Sequence, residues 1–115
     1  MEFLQVYGFE IIQGKNVDFQ TWIDENEEAL KAAVPDGVAY VGTYAAIYST
    51  EKQAGSIFTV YRLTSYADLD RLAEALDSGE LGRLIGESMS LIDFDNTAGW
   101  SRFLLKSITD ATVWD

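Results

Sequence analysis

The chain has 115 residues, of which 48% are hydrophobic and 13% aromatic, and this composition predicts a single folded domain, residues 1–115, with a sizeable core. Its formal charge of −11 disfavours contact with phosphate backbones and anionic membranes, so we expect neither nucleic acid nor a membrane as a partner. The absence of cysteine and histidine excludes disulfides, thiolate nucleophiles and haem ligation through histidine, and we expect no metal and no other cofactor.

The apolar segments are short. None approaches the roughly 20 residues that a helix needs to cross a bilayer. The opening sequence MEFLQVYGFE is acidic and lacks the basic region of a signal peptide. These features predict a cytoplasmic protein, whose acidic surface serves ordinary solubility or, as the alternative, a salty cytoplasm.

The first third of the chain reads as a strand followed by a helix. Residues 3–12 are rich in β-branched and aromatic side chains, which favours a strand. Apolar residues from Phe19 to Val34 recur on one helical stripe, and the acidic residues of this segment, Glu27 among them, are assigned mostly to the remaining surface. The sequence PDG at 35–37 predicts the end of the helix and a turn.

The segment YVGTYAAIYS contains tyrosines at a spacing of four, Tyr40, Tyr44 and Tyr48. That spacing fits a helix face or a strand face, and the β-branched residues between the rings, together with the preceding turn, favour a strand over residues 38–49. Strict alternation then places the three tyrosines on one face of the strand. The smaller residues of the other face, which would suit close packing of helices, are Ala39, Val41, Thr43, Ala45 and Ile47.

The second half repeats the strand and helix pattern. After a polar hairpin connection, residues 57–63 predict a strand, and a helix follows that Ser65 caps, with Asp68 three residues on in an imperfect capping box. A further helical piece runs to Ile92, residues 93–99 form a loop, and residues 100–108 a last strand. In the tail 109–115, Val113 and Trp114 indicate packing against another part of the protein.

The order β-α-β-β-α-(α)-β predicts an α+β ferredoxin-like fold, a four-stranded antiparallel sheet with the helices on one face. Both faces of the predicted strands are mostly apolar, and helices cover only one of them. An apolar face of this size is rarely left in water by a monomer. We therefore predict a homodimer in which a second copy covers the open face, with Tyr40, Tyr44 and Tyr48 at the interface.

This layout, from GVAYVGTYAAIYS through SIFTVYRLTSYADLDRLAEAL, resembles the dimeric α/β-barrel superfamily, and within it NIPSNAP-like and antibiotic-biosynthesis-monooxygenase-like domains. The resemblance spans nearly the whole chain but matches no catalytic motif. It implies a barrel closed across the dimer, and an activity among those of cofactor-independent monooxygenases, lactone isomerases or haem-degrading enzymes. The haem-degrading members use a histidine that this chain lacks.

Four residues are candidates for a ligand pocket: Trp22, Tyr44, Tyr61 and Arg102. Aromatic side chains would shape a site for a small apolar or aromatic ligand, and Arg102, assigned to the same strand face as Trp100, would bind an anionic group. Core or interface packing is the alternative for the aromatic residues, and a salt bridge is the alternative for Arg102.

Two functional classes follow from these residues. The first is a small-molecule-binding protein or cofactor-independent enzyme of the monooxygenase or isomerase type, in which a carboxylate, a tyrosine or the substrate itself transfers protons. The second is a non-catalytic, self-associating interaction module. The sequence DFDN at 93–96 resembles the start of a calcium loop, but the residues that follow do not complete the motif, and we expect a solvated turn there.

Overall fold

The computed structural model describes residues 2–50, 54–97 and 100–109, and within them the predicted element order is confirmed. The predicted packing of Val113 and Trp114 lies outside the described residues. The elements, in chain order, are β1 (Phe3–Phe9), α1 (Asn16–Ala32), β2 (Val38–Ala45), β3 (Ile57–Leu63), α2 (Ala67–Leu76), α3 (Gly79–Ser88), a 3-10 turn (Met89–Leu91) and β4 (Ser101–Lys106).

The four strands form one antiparallel sheet in the order β2-β3-β1-β4, as the ferredoxin-like prediction requires. The helices pack on one face, which we call the inner face. Leucines of α1, α2 and α3 join inner-face residues of the sheet in a common core. None of the helices in the described part of the chain is long and apolar enough to cross a membrane.

The inner and outer faces of the sheet are distinguished by strand register. The inner-face residues of β1, β2 and β3 are Phe3, Gln5, Tyr7, Phe9, Val38, Tyr40, Thr43, Ala45, Ile57, Thr59, Tyr61 and Leu63. Outer-face residues of all four strands are Leu4, Val6, Gly8, Tyr44, Phe58, Val60, Arg62, Phe103 and Leu105.

A β-bulge in β2 overturns the prediction that the tyrosines share a face. Tyr40 pairs with Tyr61, but the register shifts between Tyr40 and Gly42, and Tyr44 pairs with Phe58. The bulge adds one residue to β2, so Tyr40 and Tyr44 lie on opposite faces although they are four residues apart. Tyr40 is therefore part of the inner core, and the inner face is not lined by the smaller residues alone.

The strand also ends earlier than predicted. β2 stops at Ala45, and the backbone N–H of Ala46 still donates to Ser56 as the hairpin turns away. Tyr48 lies beyond the strand and is exposed. Alternation over residues 38–49 was therefore wrong at two points, the bulge and the strand end.

A second bulge, in β4, changes the position of Arg102. The register between β1 and β4 shifts between Val6 and Tyr7, which leaves Arg102 as the extra residue. Its side chain lies over Gly8, since a Cβ added to that glycine would be 2.6 Å from Cγ of Arg102. Arg102 is thus on the outer face, and its predicted common face with Trp100 is wrong.

A buried carboxylate joins the start of α2 to the sheet. Oδ2 of Asp68 accepts hydrogen bonds from the backbone N–H groups of Thr64 and Ser65, at 3.0 Å each, and from the Thr64 hydroxyl at 2.9 Å, while Oδ1 pairs with Arg71. The predicted capping partner thus bonds the Ser65 backbone, although Ser65 itself makes no side-chain cap. Gly37, at φ +83°, lies against the same carboxylate and has no space for a Cβ.

Candidate functional site

A cavity of about 340 Å³ lies between the inner face of the sheet and the helices. Such a volume is at the lower end of the range of about 300–1,000 Å³ found for small-molecule pockets. Most of its wall is apolar: Phe9, Phe19, Trp22, Ile23, Leu30, Leu76, Ile85, Met89, Ile92, Phe94 and Trp100. The polar residues of the wall are Tyr7, Tyr40, Thr43, Thr59, Tyr61, Asp77 and Ser88.

The floor of this cavity carries three tyrosines on three adjacent strands, Tyr40, Tyr61 and Tyr7. The ring centroids of Tyr40 and Tyr61 are 5.8 Å apart, and those of Tyr7 and Tyr61 are 6.0 Å apart, both edge to face. This arrangement favours aromatic contacts and holds the rings in fixed orientations. The floor therefore offers phenol hydroxyls within a mostly apolar chamber.

Tyr61 is the central ring of the three and is 1% exposed. Its hydroxyl finds no hydrogen-bond partner among the described residues. Buried hydroxyls in folded proteins nearly always have a partner, because leaving one unpaired costs about 1–3 kcal/mol. A buried, unpaired donor in a cavity wall is the pattern expected of a group that bonds a ligand.

Tyr40 instead belongs to a continuous set of hydrogen bonds that runs from the cavity floor to α1. Its hydroxyl oxygen lies 3.0 Å from Oε2 of Glu27 and 2.6 Å from the hydroxyl of Thr43. The Thr43 hydroxyl in turn lies 3.2 Å from that of Thr59. The bulge in β2 makes this possible, since it brings Thr43 onto the same face as Tyr40.

The cavity keeps its phenols protonated. Burial raises the pKa of Tyr61 well above its usual value, and it also raises the pKa of Tyr7. Burial is likewise the main cause that raises the pKa of Tyr40; the bond with Thr43 acts in the opposite direction, and Glu27 adds to the increase. All three side chains are therefore neutral hydrogen-bond donors near neutral pH.

Two of the four predicted pocket residues line this cavity. Trp22 extends from α1, where its ring stacks on Phe19 with centroids 6.4 Å apart, and Tyr61 extends from β3. Tyr44 and Arg102 are absent from its wall because the two bulges turn them to the outer face. The cavity thus lacks the cationic group that was expected to bind an anion.

Tyr44 lines a different, second cleft of about 530 Å³, together with Asp24 and Glu27. This cleft lies between the first half of α1 and the end of β2. It shares Phe19, Ile23 and Thr43 with the wall of the inner cavity, so the two spaces adjoin. Glu27 lies where they meet.

The sequence prediction missed the hydrogen-bonded residues that connect the cavity floor to α1. Glu27 follows Phe19 and Ile23 at intervals of four, so it lies on the apolar stripe of α1 and faces the sheet. That spacing was a usable signal. Thr43 was expected on the face that packs against the helices and lies there, but nothing in the sequence indicated that it shares this face with Tyr40, because that depends on the bulge.

The DFDN segment forms a turn. Asp93 accepts hydrogen bonds from the backbone N–H and the side-chain amide of Asn96, and its carbonyl accepts one from the Thr97 hydroxyl. These bonds are those of a turn, which is what the sequence predicts for residues 93–96. Among the described residues, no group of three or more acidic side chains is placed to hold a metal ion.

No protein-family model matches the chain, and no curated protein matches its sequence. Solved structures do match it. A NIPSNAP family protein from Agrobacterium tumefaciens has a TM-score of 0.66 at 13% identity, covering 98% of this chain and 99% of that one. An uncharacterised NIPSNAP-like domain protein from Burkholderia xenovorans has a TM-score of 0.66 at 9% identity, covering 96% and 88%.

A putative antibiotic biosynthesis monooxygenase from Nitrosomonas europaea matches with a TM-score of 0.57 at 7% identity, over 95% of this chain and 92% of that one. Identities this low show a common fold and carry no activity from one protein to another. The resemblance drawn from the sequence is confirmed at that level: the chain has the fold of NIPSNAP family proteins and of an antibiotic-biosynthesis-monooxygenase-like protein.

Proposed function

We propose that the protein binds a small, largely apolar aromatic molecule in the inner cavity, as a ligand-binding protein or a cofactor-independent enzyme. The observation that carries this proposal is the buried hydroxyl of Tyr61, which has no hydrogen-bond partner among the described residues and lies in the wall of a mostly apolar chamber. A ligand oxygen would supply the missing hydrogen-bond partner. The apolar wall, which includes Trp22 and Trp100, would contact two or three fused rings.

The chemistry open to such a site is stabilisation of an enolate or phenolate oxygen. Neutral phenol donors aimed at an oxygen that gains negative charge lower the energy of that charged state in a water-poor chamber. Tyr61 and Tyr7 are the donors, and Glu27 is the carboxylate nearest to the tyrosine cluster through its bond with Tyr40. Monooxygenase and isomerase reactions that pass through an enolate are the types we propose.

The test uses 6-acetyl-2-naphthol, which carries a ketone acceptor and a hydroxyl on a two-ring body. We expect calorimetric titration to show saturable binding to the wild-type protein and about tenfold weaker binding to Tyr61→Phe, because one hydrogen bond is lost. Tyr66→Phe is the control, since Tyr66 is exposed and lines neither cavity. Absence of binding, or equal affinity in Tyr61→Phe, would contradict the proposal.

Self-association through the outer face is the second proposal, and it is compatible with ligand binding or with a purely non-catalytic module. The outer face exposes 51% of Phe103, 46% of Leu105 and 53% of Tyr44. Burying such side chains is favourable by about 25 cal/mol per Å². A second copy of the chain, related by a two-fold axis, is the occupant we propose.

Sedimentation velocity over a wide concentration range tests the dimer. Wild type should sediment as a dimer, and Phe103→Glu as a monomer, because a charge on the face leaves an unpaired carboxylate in the interface. Val17→Glu is the matched control, since Val17 is also exposed but lies on α1, away from the sheet. A monomeric wild-type protein at high concentration, or an unchanged dimer in Phe103→Glu, would overturn this proposal.

A further inference from the structure

The hydrogen bonds between Glu27 and Thr59 have a fixed direction. A carboxylate can only accept, so Tyr40 gives its single hydroxyl proton to Glu27. The bond between Tyr40 and Thr43 must then be donated by Thr43, and the bond between Thr43 and Thr59 must be donated by Thr59. Each hydroxyl has one proton, so every hydroxyl in this hydrogen-bond chain donates in the direction that leads from the cavity to Glu27.

This direction determines what Thr59 offers inside the cavity. Its only proton is committed to Thr43, and its remaining capacity is that of an acceptor. Thr59 lines the cavity floor and pairs in the sheet with Tyr7. A ligand hydroxyl or N–H group complements Thr59, whereas an ether oxygen at the same place would meet a lone pair.

The charged groups around the cavity also restrict the ligand, because they disfavour an anion. The described residues that line it include no lysine or arginine, and Asp77 is among them. Glu27 places a second carboxylate at the end of the hydrogen-bond chain. A ligand carboxylate would lose its hydration without gaining a counter-ion, which is unfavourable in an apolar chamber.

We propose that the inner cavity selects an uncharged aromatic ligand bearing a hydrogen-bond donor, and that the chain Thr59–Thr43–Tyr40–Glu27 is the device that enforces the donor. This inference rests on the proposed function. It also assigns Glu27 a positioning role, because Glu27 acts on the ligand only by orienting the hydroxyls between them. The ligand class is therefore phenols, alcohols and amides rather than ethers or carboxylic acids.

Three compounds of one shape test the selection by calorimetry. Against 6-acetyl-2-naphthol, we expect its methyl ether to bind about tenfold more weakly, because the donor is lost. We expect 6-hydroxy-2-naphthoic acid to bind more weakly than the naphthol by tenfold or more, because its carboxylate is desolvated without a counter-ion. An ether or an acid that binds as tightly as the naphthol would overturn this inference and leave the proposed function standing, whereas failure of all three would overturn both.

Two variants test the direction in which the hydroxyls of the hydrogen-bond chain donate. Thr59→Val removes the acceptor and should abolish the tenfold preference for the naphthol over its ether. Glu27→Gln supplies an amide donor, which allows every hydroxyl to reverse and lets Thr59 donate to the ether, so the preference should also disappear. Thr21→Val and Glu25→Gln are matched controls on exposed positions of α1 that line neither cavity, and both should keep the preference.

Circular dichroism and thermal melting confirm that each variant is folded before its affinities are compared. If folded Glu27→Gln still prefers the naphthol tenfold, the hydroxyls are not oriented by Glu27 and the proposal fails. If Glu25→Gln loses the preference as well, a general change in charge explains the effect, and the proposal fails for that reason.

Discussion

The two faces of this sheet have similar apolar character but different surroundings. The inner face packs against three helices and is mostly buried in a core that includes Leu63, but it leaves a cavity beside Tyr61. In the described part of the chain no helix packs on the outer face, and the phenylalanine and leucine side chains of β4 on that face are about half exposed. The comparison shows that apolar character alone does not tell which side chains of a strand face the helices. In β2 and β4, one inserted residue in each strand determines the face on which key side chains lie.

Those insertions are the bulges in β2 and β4. Each adds one residue to a strand, so the residues after it change face relative to strict alternation. In β2 the bulge separates Tyr40 from Tyr44, and in β4 it places Arg102 on the outer face. For this reason the cavity floor holds Tyr40 but not Arg102, and the outer face has an arginine over Gly8.

The largest expected effect is the difference in stability that is lost when a leucine is truncated on each of the two faces. Leu63 is 0% exposed on the inner face and Leu105 is 46% exposed on the outer face. We expect Leu63→Ala to lower the free energy of unfolding by about 2–5 kcal/mol, because it leaves a cavity in the core. Leu105→Ala should cost about 1 kcal/mol or less. Urea denaturation at concentrations that keep the chain monomeric measures both, and equal losses would remove the distinction between the faces.

The next effect concerns the carboxylate that fixes α2 over the inner face. Hydrogen bonds from Thr64, with smaller contributions from Arg71 and Ser65, lower the pKa of Asp68 from 3.8 to about 2. A lowered pKa stabilises the fold above the unfolded value, and this stabilisation is lost as the pH falls from about 4 to about 2. We therefore expect Asp68→Asn to lower the Tm by several degrees at pH 7.

The difference in Tm between wild type and Asp68→Asn should shrink as the pH is lowered through that window. Asp70→Asn is the matched control, since Asp70 is an exposed residue in the first turn of the same helix. Thermal melts of the three proteins across the pH range give the answer. A difference that stays constant down to the lowest pH would show that Asp68 does not act through its charge.

The smallest effect compares two tyrosines of the inner face. Tyr40→Phe removes hydrogen bonds to Glu27 and Thr43, and we expect a loss of about 0.5–1.5 kcal/mol in the free energy of unfolding. Tyr61→Phe removes a hydroxyl that has no partner among the described residues, so stability should stay the same or rise slightly. Chemical denaturation without ligand distinguishes them, and a clear loss in Tyr61→Phe would mean that its hydroxyl is already bonded.

Much of the architecture was predictable because it depends on local patterns. The helical stripe from Phe19, the turn at Pro35 to Gly37 and the strand at residues 57–63 each follow from spacing and turn chemistry within a few neighbours. Trp22 and Tyr61 line the same cavity, and both lie on regular stretches of their elements, where spacing along the chain indicates the face. Glu27 was within reach of the same argument, through its spacing from Ile23.

The sequence by itself determined the element order, the two apolar sheet faces and the chemical inventory, with no histidine or cysteine to perform catalysis. Only the tertiary structure decided which tyrosines meet in the cavity, that Thr43 joins Tyr40, and that Arg102 lies on the other face. The physical reason is that a bulge is a mismatch between two paired strands. A single strand carries no record of it, so alternation read along the chain fails once the partner strand imposes its register.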